Sequence, residues 1–320
     1  MPETERSVSV VIPCYNAAPF LRETILSALH QTHTPLEVIV VDDGSSDGSS
    51  AIAESFGAPV KVIRQPNRGE SVARNRGMDI AQGHWTALLD ADDVWLPDKL
   101  QGLLEAYESA AEPKPICVYS DFFLFGATTD PHMQRPEYHA AKDHHIRMLL
   151  DWSIPTITAM FVTEIGREVR FPEEIQHGEE WIFFLMLREK GTFVRVPKPL
   201  AGYRRHGRTQ SGGPDHLWLN VSSRLNWFLR HESHYDTASR SVVRTRFAQE
   251  LVRAHDMAWR ENKFRRVQEV RDLYIKSRLE QPEPSPFRRS ILRRRFALHM
   301  EKTRMLLGAL RRRLFPGFLR

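Results

Sequence analysis

The chain has 320 residues, of which 41% are apolar and 27% charged, a composition typical of folded globular proteins and not of disordered ones. Its length suits one large α/β domain with an appendage, or two modest domains. It contains no run of eighteen or more apolar residues, so no membrane-spanning helix is predicted, and segment 1–7 lacks the pattern of a secretory signal.

The two cysteines favour a reducing cellular compartment for this protein. Cys14 and Cys117 are far apart, and neither has the CxxC or Cys/His spacing of a zinc site. Two thiols in a chain of this size fit a reducing compartment, where both are expected to be small buried side chains. We therefore expect a cytoplasmic protein.

Short apolar runs alternate with helical patterns over the first hundred residues. Strands covered on both faces are predicted at Val8–Ile12, Leu36–Val41, Val60–Arg64 and Trp85–Leu89. Helices are predicted from Pro19, from about Glu70 to Ala81, and from Pro97. Strands joined by such helices imply parallel βαβ units. The predicted fold class is α/β, with a Rossmann-like, mostly parallel central sheet flanked by helices.

The remainder of the chain is less regular and then helical. A strand at Ile116–Tyr119 and helices near Asp143–Asp151 and Glu179–Glu189 are predicted, and the pattern is helical beyond Pro214. This change predicts a first domain at 1–213, with halves at 1–100 and 101–213. A helical C-terminal region is predicted at 214–320.

Polar residues cluster where three of the predicted strands end. The three segments are Pro13-Cys14-Tyr15-Asn16, Asp42-Asp43-Gly44-Ser45-Ser46-Asp47 and Asp90-Ala91-Asp92-Asp93. Ligands of open parallel sheets bind beyond the carboxyl ends of the strands, so these segments are expected to share one site. Turn and capping roles account for Ser45, Ser46 and Asp47, but not for adjacent carboxylates, which repel each other.

The acidic segment 90–93 predicts a divalent cation. Three carboxylates within four residues are destabilising without one, and Mg²⁺ or Mn²⁺ typically takes one or two protein carboxylates together with substrate phosphates. Asp92 and Asp90 are the predicted ligands, while capping of the helix near Pro97 is an alternative for Asp93. The G-x-x-x-x-G-K-[ST] loop is absent and no G-x-G-x-x-G follows the first strand, which removes the main support for P-loop proteins, kinases and Rossmann dehydrogenases.

Four segments, in this order, resemble family 2 glycosyltransferases with the GT-A fold. They are Val8-Ser-Val-Val-Ile-Pro-Cys-Tyr-Asn16, Val40-Val-Asp-Asp-Gly-Ser-Ser-Asp47, Asn67-Arg-Gly69 with Ala73-Arg-Asn75, and Leu89-Asp-Ala-Asp-Asp93. The resemblance is good to Lys99, thinner to about Ser211, and absent beyond. It implies an inverting transfer from a nucleotide-sugar, most often a UDP-sugar, with Mn²⁺ or Mg²⁺ as cofactor. The half at 1–100 then binds the donor and the half at 101–213 the acceptor.

The resemblance also implies roles for residues on the donor side. Pro13 and Tyr15 line the nucleobase pocket, and Asp43 hydrogen-bonds the base with Asp42 beside it. The helix that carries Arg74 and Asn75 faces the donor. A surface helix arginine is the alternative for Arg74, which otherwise pairs with Asp90 or a phosphate. The implied donor-binding residues are Pro13, Tyr15, Asn16, Asp42, Asp43, Arg74, Asn75, Asp90 and His206.

An inverting transfer needs a general base that takes the proton of the acceptor hydroxyl. The family supplies it from an acidic pair at a helix start, and Gly178-Glu179-Glu180-Trp181 falls where that pattern is expected. Glu180 occupies the base position, although Glu stands where the family has Asp, so Glu179 remains the alternative base. Helix capping is an equal alternative for Glu179. Trp181 is expected in the helix core, with stacking on an acceptor sugar as the alternative.

The segment Tyr203-Arg-Arg-His-Gly-Arg-Thr-Gln-Ser211 resembles one that closes over the donor diphosphate. His206 is expected to complete the shell of the metal ion or to contact phosphate. Arg204 and Arg205 are expected to supply positive charge for the leaving group.

The basic character of the chain belongs to its C-terminal tail. The formal net charge is +5, but from Phe287 onward Arg and Lys greatly outnumber one acid, Glu301. A basic amphipathic tail predicts contact with an anionic membrane surface, on the inner face of the cell membrane, and a lipid-linked acceptor. Packing of the tail on the domain is the equal alternative. No nucleic-acid module is recognisable.

These observations predict a metal-dependent inverting glycosyltransferase. Its partners are a nucleotide-sugar donor and a saccharide or lipid-linked saccharide acceptor, in the biosynthesis of cell-surface polysaccharide or glycolipid. Two alternatives remain: a nucleotidyltransferase that makes sugar nucleotides, and a non-catalytic domain that binds nucleotide-sugars.

Overall fold

The structure is a computed structural model that describes residues 3–127, 144–150, 154–175, 177–206, 214–261, 263–277 and 279. The chain separates into two compact units, Met1–His234 and Tyr235–Arg320. The helix that follows residue 213 belongs to the first unit. The domain boundary at 213 stays a prediction. The basic tail beyond Phe287 lies outside the described residues.

One sheet of eight strands organises the first unit, in the order β3-β2-β1-β4-β7-β6-β8-β5. Neighbours run parallel from β3 to β4 and between β6 and β8, while β7 is antiparallel to both of its neighbours and β5 is antiparallel to β8. The strands are β1 (Val8–Cys14), β2 (Glu37–Asp42), β3 (Val60–Arg64), β4 (Trp85–Leu88), β5 (Val94–Trp95), β6 (Cys117–Gly126), β7 (Ala159–Val162) and β8 (Phe193–Arg205).

Helices connect and flank these strands. In the first unit they are α1 (Ala18–Leu29), α2 (Ser49–Glu54), α3 (Glu70–Ile80), α4 (Lys99–Ser109), α5 (His144–Leu150), α6 (Thr163–Val169), α7 (Glu179–Lys190) and α8 (Pro214–His231). The second unit contains α9 (Thr237–Arg260) and α10 (Phe264–Lys276), which pack against each other. The predicted α/β fold class is confirmed, and each predicted strand has a counterpart within a residue or two at its start.

Burial explains why the central strands β1 and β2 are predominantly apolar. Every residue of β1 and β2 is buried, because helices cover both faces of the central strands. The helix α3 lies so close to β1 that a Cβ on Gly77 would come within 2.3 Å of Val11 Cγ1. The start of α3 lies at the carboxyl ends of β2 and β4, where the N–H of Gly69 donates to Asp43 and Arg74 contacts Asp90.

Candidate active site

The loops after β1 and β2 are tied together by Asn16. Its backbone N–H donates to Ser45 Oγ at 2.9 Å, and its side-chain Oδ1 accepts from the backbone N–H of Ser46 at 2.9 Å. Asn16 has φ of +51°, a left-handed conformation that asparagine tolerates better than most residues. The loop then turns so that Pro13 is buried in β1 while Tyr15 is 53% exposed. An accessible aromatic ring therefore stands at the carboxyl edge of the sheet.

The two acidic residues at the end of β2 are both buried. Asp43 accepts hydrogen bonds from Gln65 Nε2 at 2.7 Å and from the backbone N–H groups of Arg68 and Gly69 at 2.8 Å each. Asp42 Oδ1 accepts from the backbone N–H of Ser45 at 3.0 Å. Asp43 thus holds the loop that leads into α3, and this explains how two adjacent carboxylates are accommodated at a strand end.

Arg74 is the centre of the site. Its buried guanidinium donates from Nη1 to Glu179 Oε1 at 3.0 Å, and from Nη2 to Glu70 Oε2 at 2.9 Å and Asp90 Oδ1 at 3.1 Å. Although burial opposes it, the charges of Asp90, Glu70 and Glu179 hold the pKa of Arg74 above its usual value. A permanent cation therefore links α3, the loop after β4 and the start of α7.

The carboxylates of segment 90–93 have separate partners. Asp90 Oδ2 accepts from Thr156 Oγ1 at 3.0 Å, so both oxygens of Asp90 are engaged within the protein. Asp92 Oδ2 lies 2.8 Å from His206 Nε2, and the Asp92 side chain is 35% exposed. Burial raises the pKa of Asp92, while the hydrogen bond to His206 opposes that rise. Asp93 does not cap α4, which begins beyond Asp98; its Oδ1 accepts from the backbone N–H of Arg204 at 2.7 Å.

The acidic pair Glu179-Glu180 begins α7. Gly178 precedes it with φ of +80°, and a Cβ there would lie 2.5 Å from Asn220 Oδ1, so glycine is strongly favoured at this position. Burial, and next the charge of Glu180, raise the pKa of Glu179 to about 7 against the opposing effect of Arg74. Burial also raises the pKa of Glu180, which is half-buried. Both acids thus hold protons more readily than an exposed glutamate.

Two other residues are engaged in packing. The Asn75 amide donates from Nδ2 to the backbone carbonyl of Phe171 at 2.9 Å and to Glu173 Oε1 at 3.1 Å, and its Oδ1 accepts from the Phe171 N–H at 2.8 Å. Trp181 donates from Nε1 to the carbonyl of Met148, and Arg224 lies 4.0 Å above its ring. Asn75 therefore anchors α3 to the segment before α7, and Trp181 packs as the helix-core expectation describes.

Comparison with known proteins identifies the family. The family model for glycosyl transferase family 2 matches residues 9–159. TuaG of Bacillus subtilis (strain 168), whose name assigns it to teichuronic acid biosynthesis, is 30% identical over 230 residues, which cover 70% of this chain and 87% of TuaG. The chain belongs to glycosyltransferase family 2. It is therefore an enzyme that transfers sugars.

Two solved structures resemble this glycosyltransferase in fold. TarS of S. aureus, in complex with UDP-GlcNAc, has a TM-score of 0.56 at 18% identity, covering 85% of this chain and 89% of the TarS chain. The mannosyltransferase PcManGT of Pyrobaculum calidifontis, in complex with GDP-Man and Mn²⁺, has a TM-score of 0.54 at 17% identity, covering 92% and 80%. The shared fold is the GT-A fold.

The side chains at the sheet edge of the glycosyltransferase can serve as ligands of a divalent ion that binds together with a diphosphate. In the described ranges, no group of three or more His, Cys, Asp or Glu side chains is arranged to hold a metal ion. Asp92 and His206 nevertheless bring a partly exposed carboxylate and an imidazole together at the sheet edge. Mg²⁺ and Mn²⁺ that bind with substrate phosphates need only one or two protein ligands, so Asp92 with His206 fits such an ion.

Sequence reasoning missed three residues of the glycosyltransferase site. Glu70 lies four residues before Arg74 on one helix face, a spacing that predicts an ion pair and is present in the sequence. Thr156 contacts Asp90 from a segment 66 residues away, for which no local signal exists. Phe20 stacks on the His206 ring with centroids 4.7 Å apart, again from a distant segment.

The membrane prediction concerns residues of the glycosyltransferase that the structure does not describe. Within the described ranges, every helix is too short or too polar to span a bilayer.

Proposed function

We propose that this glycosyltransferase is metal-dependent and inverting, and that it moves a sugar from a UDP-sugar to a glycan or lipid-linked saccharide. One observation carries the proposal: Arg74 contacts both Asp90 of the predicted metal motif, at 3.1 Å, and Glu179 of the predicted base pair, at 3.0 Å. Residues assigned to the donor half and to the acceptor half thus lie around one buried cation.

On the donor side, Tyr15 offers an exposed ring for a nucleobase, and Asp43, with Asp42 beside it, is the proposed carboxylate that accepts a hydrogen bond from the base. Asp92, with His206, would hold the ion. When bound, that ion would offset the negative charge of the diphosphate as it leaves. TarS and PcManGT support the class of donor, since the one is bound to UDP-GlcNAc and the other to GDP-Man with Mn²⁺.

On the acceptor side, Glu180 is the proposed base. It takes the proton of the acceptor hydroxyl while that oxygen bonds to the anomeric carbon, and the bond from this carbon to the diphosphate oxygen breaks. The nucleoside diphosphate leaves on the opposite face, so the anomeric configuration inverts. Glu179 is held by Arg74 at 3.0 Å, which supports the assignment of proton transfer to its half-buried neighbour. Burial raises the pKa of Glu180 and brings its basicity closer to neutral pH, as a base requires.

The proposed biological setting is supported by a relative. TuaG is named for teichuronic acid biosynthesis, and this supports the proposal of a saccharide acceptor in cell-surface polysaccharide or glycolipid biosynthesis. The basic tail at 287–320 is the proposed contact with an anionic membrane surface. Deletion of 287–320 should reduce co-sedimentation with anionic vesicles and spare hydrolysis of a soluble donor. Undiminished co-sedimentation would contradict the membrane contact.

The proposed function is tested by measuring activity with a set of nucleotide-sugar donors. The protein is incubated with UDP- and GDP-sugars in Mn²⁺ and in EDTA, and release of nucleoside diphosphate is followed. We expect slow, Mn²⁺-dependent hydrolysis of one UDP-sugar, faster with an acceptor, and a product of inverted configuration by NMR. Release of pyrophosphate from UTP and a sugar phosphate would favour a nucleotidyltransferase. Binding without any turnover would favour a non-catalytic domain.

A further inference from the structure

The end of β8 is attached to the loop that carries Asp92. The backbone N–H of Arg204 donates to Asp93 Oδ1 at 2.7 Å, and Arg204 Nε donates to the backbone carbonyl of Asp92 at 2.7 Å. A third bond runs from Arg204 Nη2 to Glu23 Oε2 on α1, at 2.7 Å. Arg204 thus joins β8, the loop after β4 and α1.

Aromatic rings hold the Arg204 guanidinium in place. Its central carbon lies 4.3 Å from the ring centroid of Phe125 and 5.1 Å from that of Phe20, and the side chain is only 14% exposed. Arginine is suited to this position because its planar group stacks on aromatic faces while its edge donates hydrogen bonds. A lysine ammonium has neither the planar face nor the fixed spacing of donors.

The same contacts orient His206. His206 follows Arg204 by two residues, stacks on Phe20 with centroids 4.7 Å apart, and places Nε2 at 2.8 Å from Asp92 Oδ2. Phe20 therefore packs against both Arg204 and His206. A substitution of the Arg204 side chain would remove the hydrogen bond to the Asp92 carbonyl and the contact with Phe20, while the backbone N–H of residue 204 would keep its bond to Asp93.

We propose that Arg204 is a positioning residue for Asp92 and His206, and not a ligand of the donor diphosphate. The inference rests on the proposed function, in which Asp92 binds the ion. The charged guanidinium of Arg204 contacts Glu23 and two aromatic rings. Arg204 also donates hydrogen bonds to the backbone carbonyl of Asp92 and to the carboxylate of Asp93. The sequence predicts instead that Arg204 supplies positive charge for the leaving group.

Binding of UDP separates the two roles. UDP affinity of the full chain is measured by calorimetry in EDTA and in Mn²⁺, for the parent, Arg204→Lys and Arg204→Gln. We expect all three proteins to bind UDP equally in EDTA. In Mn²⁺ both variants should bind UDP about 10–100-fold more weakly than the parent, as is typical when a residue behind a metal ligand is changed. A phosphate ligand would behave differently: Arg204→Gln would weaken UDP binding in EDTA, and Arg204→Lys would keep most of it.

A matched control is Arg22→Gln. Arg22 is an exposed arginine on the same helix as Phe20, lies 5.2 Å from the ring of Phe56 and donates to Ser55. Its replacement should leave both affinities unchanged. Thermal unfolding checks that each variant folds, and if Arg204→Gln does not, Phe125→Leu and Glu23→Gln remove one contact each and should lower the Mn²⁺ gain in the same direction.

The outcomes distinguish this inference from the proposed function. A parent protein without any Mn²⁺ gain overturns both. If the parent shows a Mn²⁺-dependent gain in UDP affinity and this gain persists in Arg204→Lys, Arg204→Gln and Phe125→Leu, the positioning role alone is overturned.

Discussion

Arg74 and Glu179 form an ion pair of 3.0 Å between side chains that are only 4% and 10% exposed. The same guanidinium contacts Glu70 and Asp90, so one cation faces three carboxylates. Buried charges are costly unless they are paired, and an excess of acids around one arginine favours the neutral form of the most buried carboxylate. Glu179 meets this condition, and its pKa rises to about 7 because it is buried and lies beside Glu180.

The raised pKa of Glu179 makes stability depend on pH. A folded-state pKa of about 7, above the unfolded value, means that Glu179 contributes stability that is fully present below the unfolded pKa and lost as pH rises through 7. At about 1.4 kcal/mol per pKa unit, up to about 3 kcal/mol is lost between pH 5 and 8. Urea unfolding at several pH values should show this loss in the parent and a smaller one in Glu179→Gln. Glu189→Gln, at an exposed position of the same helix, should retain the slope of the parent. Equal slopes in all three would contradict the raised pKa.

Glu180→Gln tests the base. Glutamine keeps the shape and hydrogen-bonding capacity of glutamate but cannot take the acceptor proton, and positioned bases contribute about 10²–10⁴-fold in rate. Transfer should fall by about that factor, while UDP affinity barely changes. Glu179→Gln should cost less, because the role assigned to Glu179 is contact with Arg74. Near-normal transfer by Glu180→Gln beside an inactive Glu179→Gln would assign the base to Glu179.

The central strands were predictable because burial on both faces leaves an unmistakable apolar run. In β1 and β2 no residue is exposed, and the only polar residues are Ser9, Glu37 and Asp42, so a nearly continuous apolar run remains in each strand. The strands β5, β7 and β8 were not predicted: β7 (Ala159–Val162) pairs with β4 and β6, which are distant in the chain, and β8 contains polar residues and two prolines.

For the site, the sequence predicted which groups meet at the sheet edge, but not which atoms pair. The Asp clusters were visible as polar residues directly after apolar strands. The contacts of Asn75 with Phe171 and of Asp90 with Thr156 join segments that are 96 and 66 residues apart, and no local pattern encodes them. Asn75 and Arg74 are adjacent in the sequence, yet their side chains bond to different segments.

Lys99 offers a test that is independent of function. It is fully buried, its Nζ has no hydrogen-bond partner among the described residues, and Nζ lies 4.2 Å from the ring centroid of Trp95. Burial lowers its pKa to about 7, against a smaller opposing effect of Cys117. Lys99 is also the first residue of α4, where the helix dipole disfavours a cation.

Between pH 7 and 10 the unfolded chain therefore binds a proton at Lys99 that the folded chain does not, and the stability of the parent rises with pH. Lys99→Met should be more stable than the parent at pH 7 and should lose this rise between pH 7 and 9. Lys198→Met, at an exposed lysine, should follow the parent in denaturant titrations. A Lys99→Met protein less stable than the parent at pH 7 would mean that the amine has a favourable role in the core.

Asp92→Asn tests the metal motif. Asp92 is partly exposed and contacts His206 at 2.8 Å, whereas both oxygens of Asp90 are engaged with Arg74 and Thr156. The charged oxygen of Asp92 is thus the better ligand for an ion bound with the diphosphate. Asp92→Asn should abolish turnover and the Mn²⁺ dependence of UDP binding, while circular dichroism shows a retained fold.

Two further variants serve as comparisons. Asp90→Asn should reduce the Mn²⁺-dependent gain in UDP affinity without abolishing it. Asp98→Asn, at an exposed acid, should change neither turnover nor this gain. Equal UDP affinity of the parent with and without Mn²⁺ would overturn the metal assignment, and a Mn²⁺ gain lost only in Asp90→Asn would transfer the ligand role to Asp90.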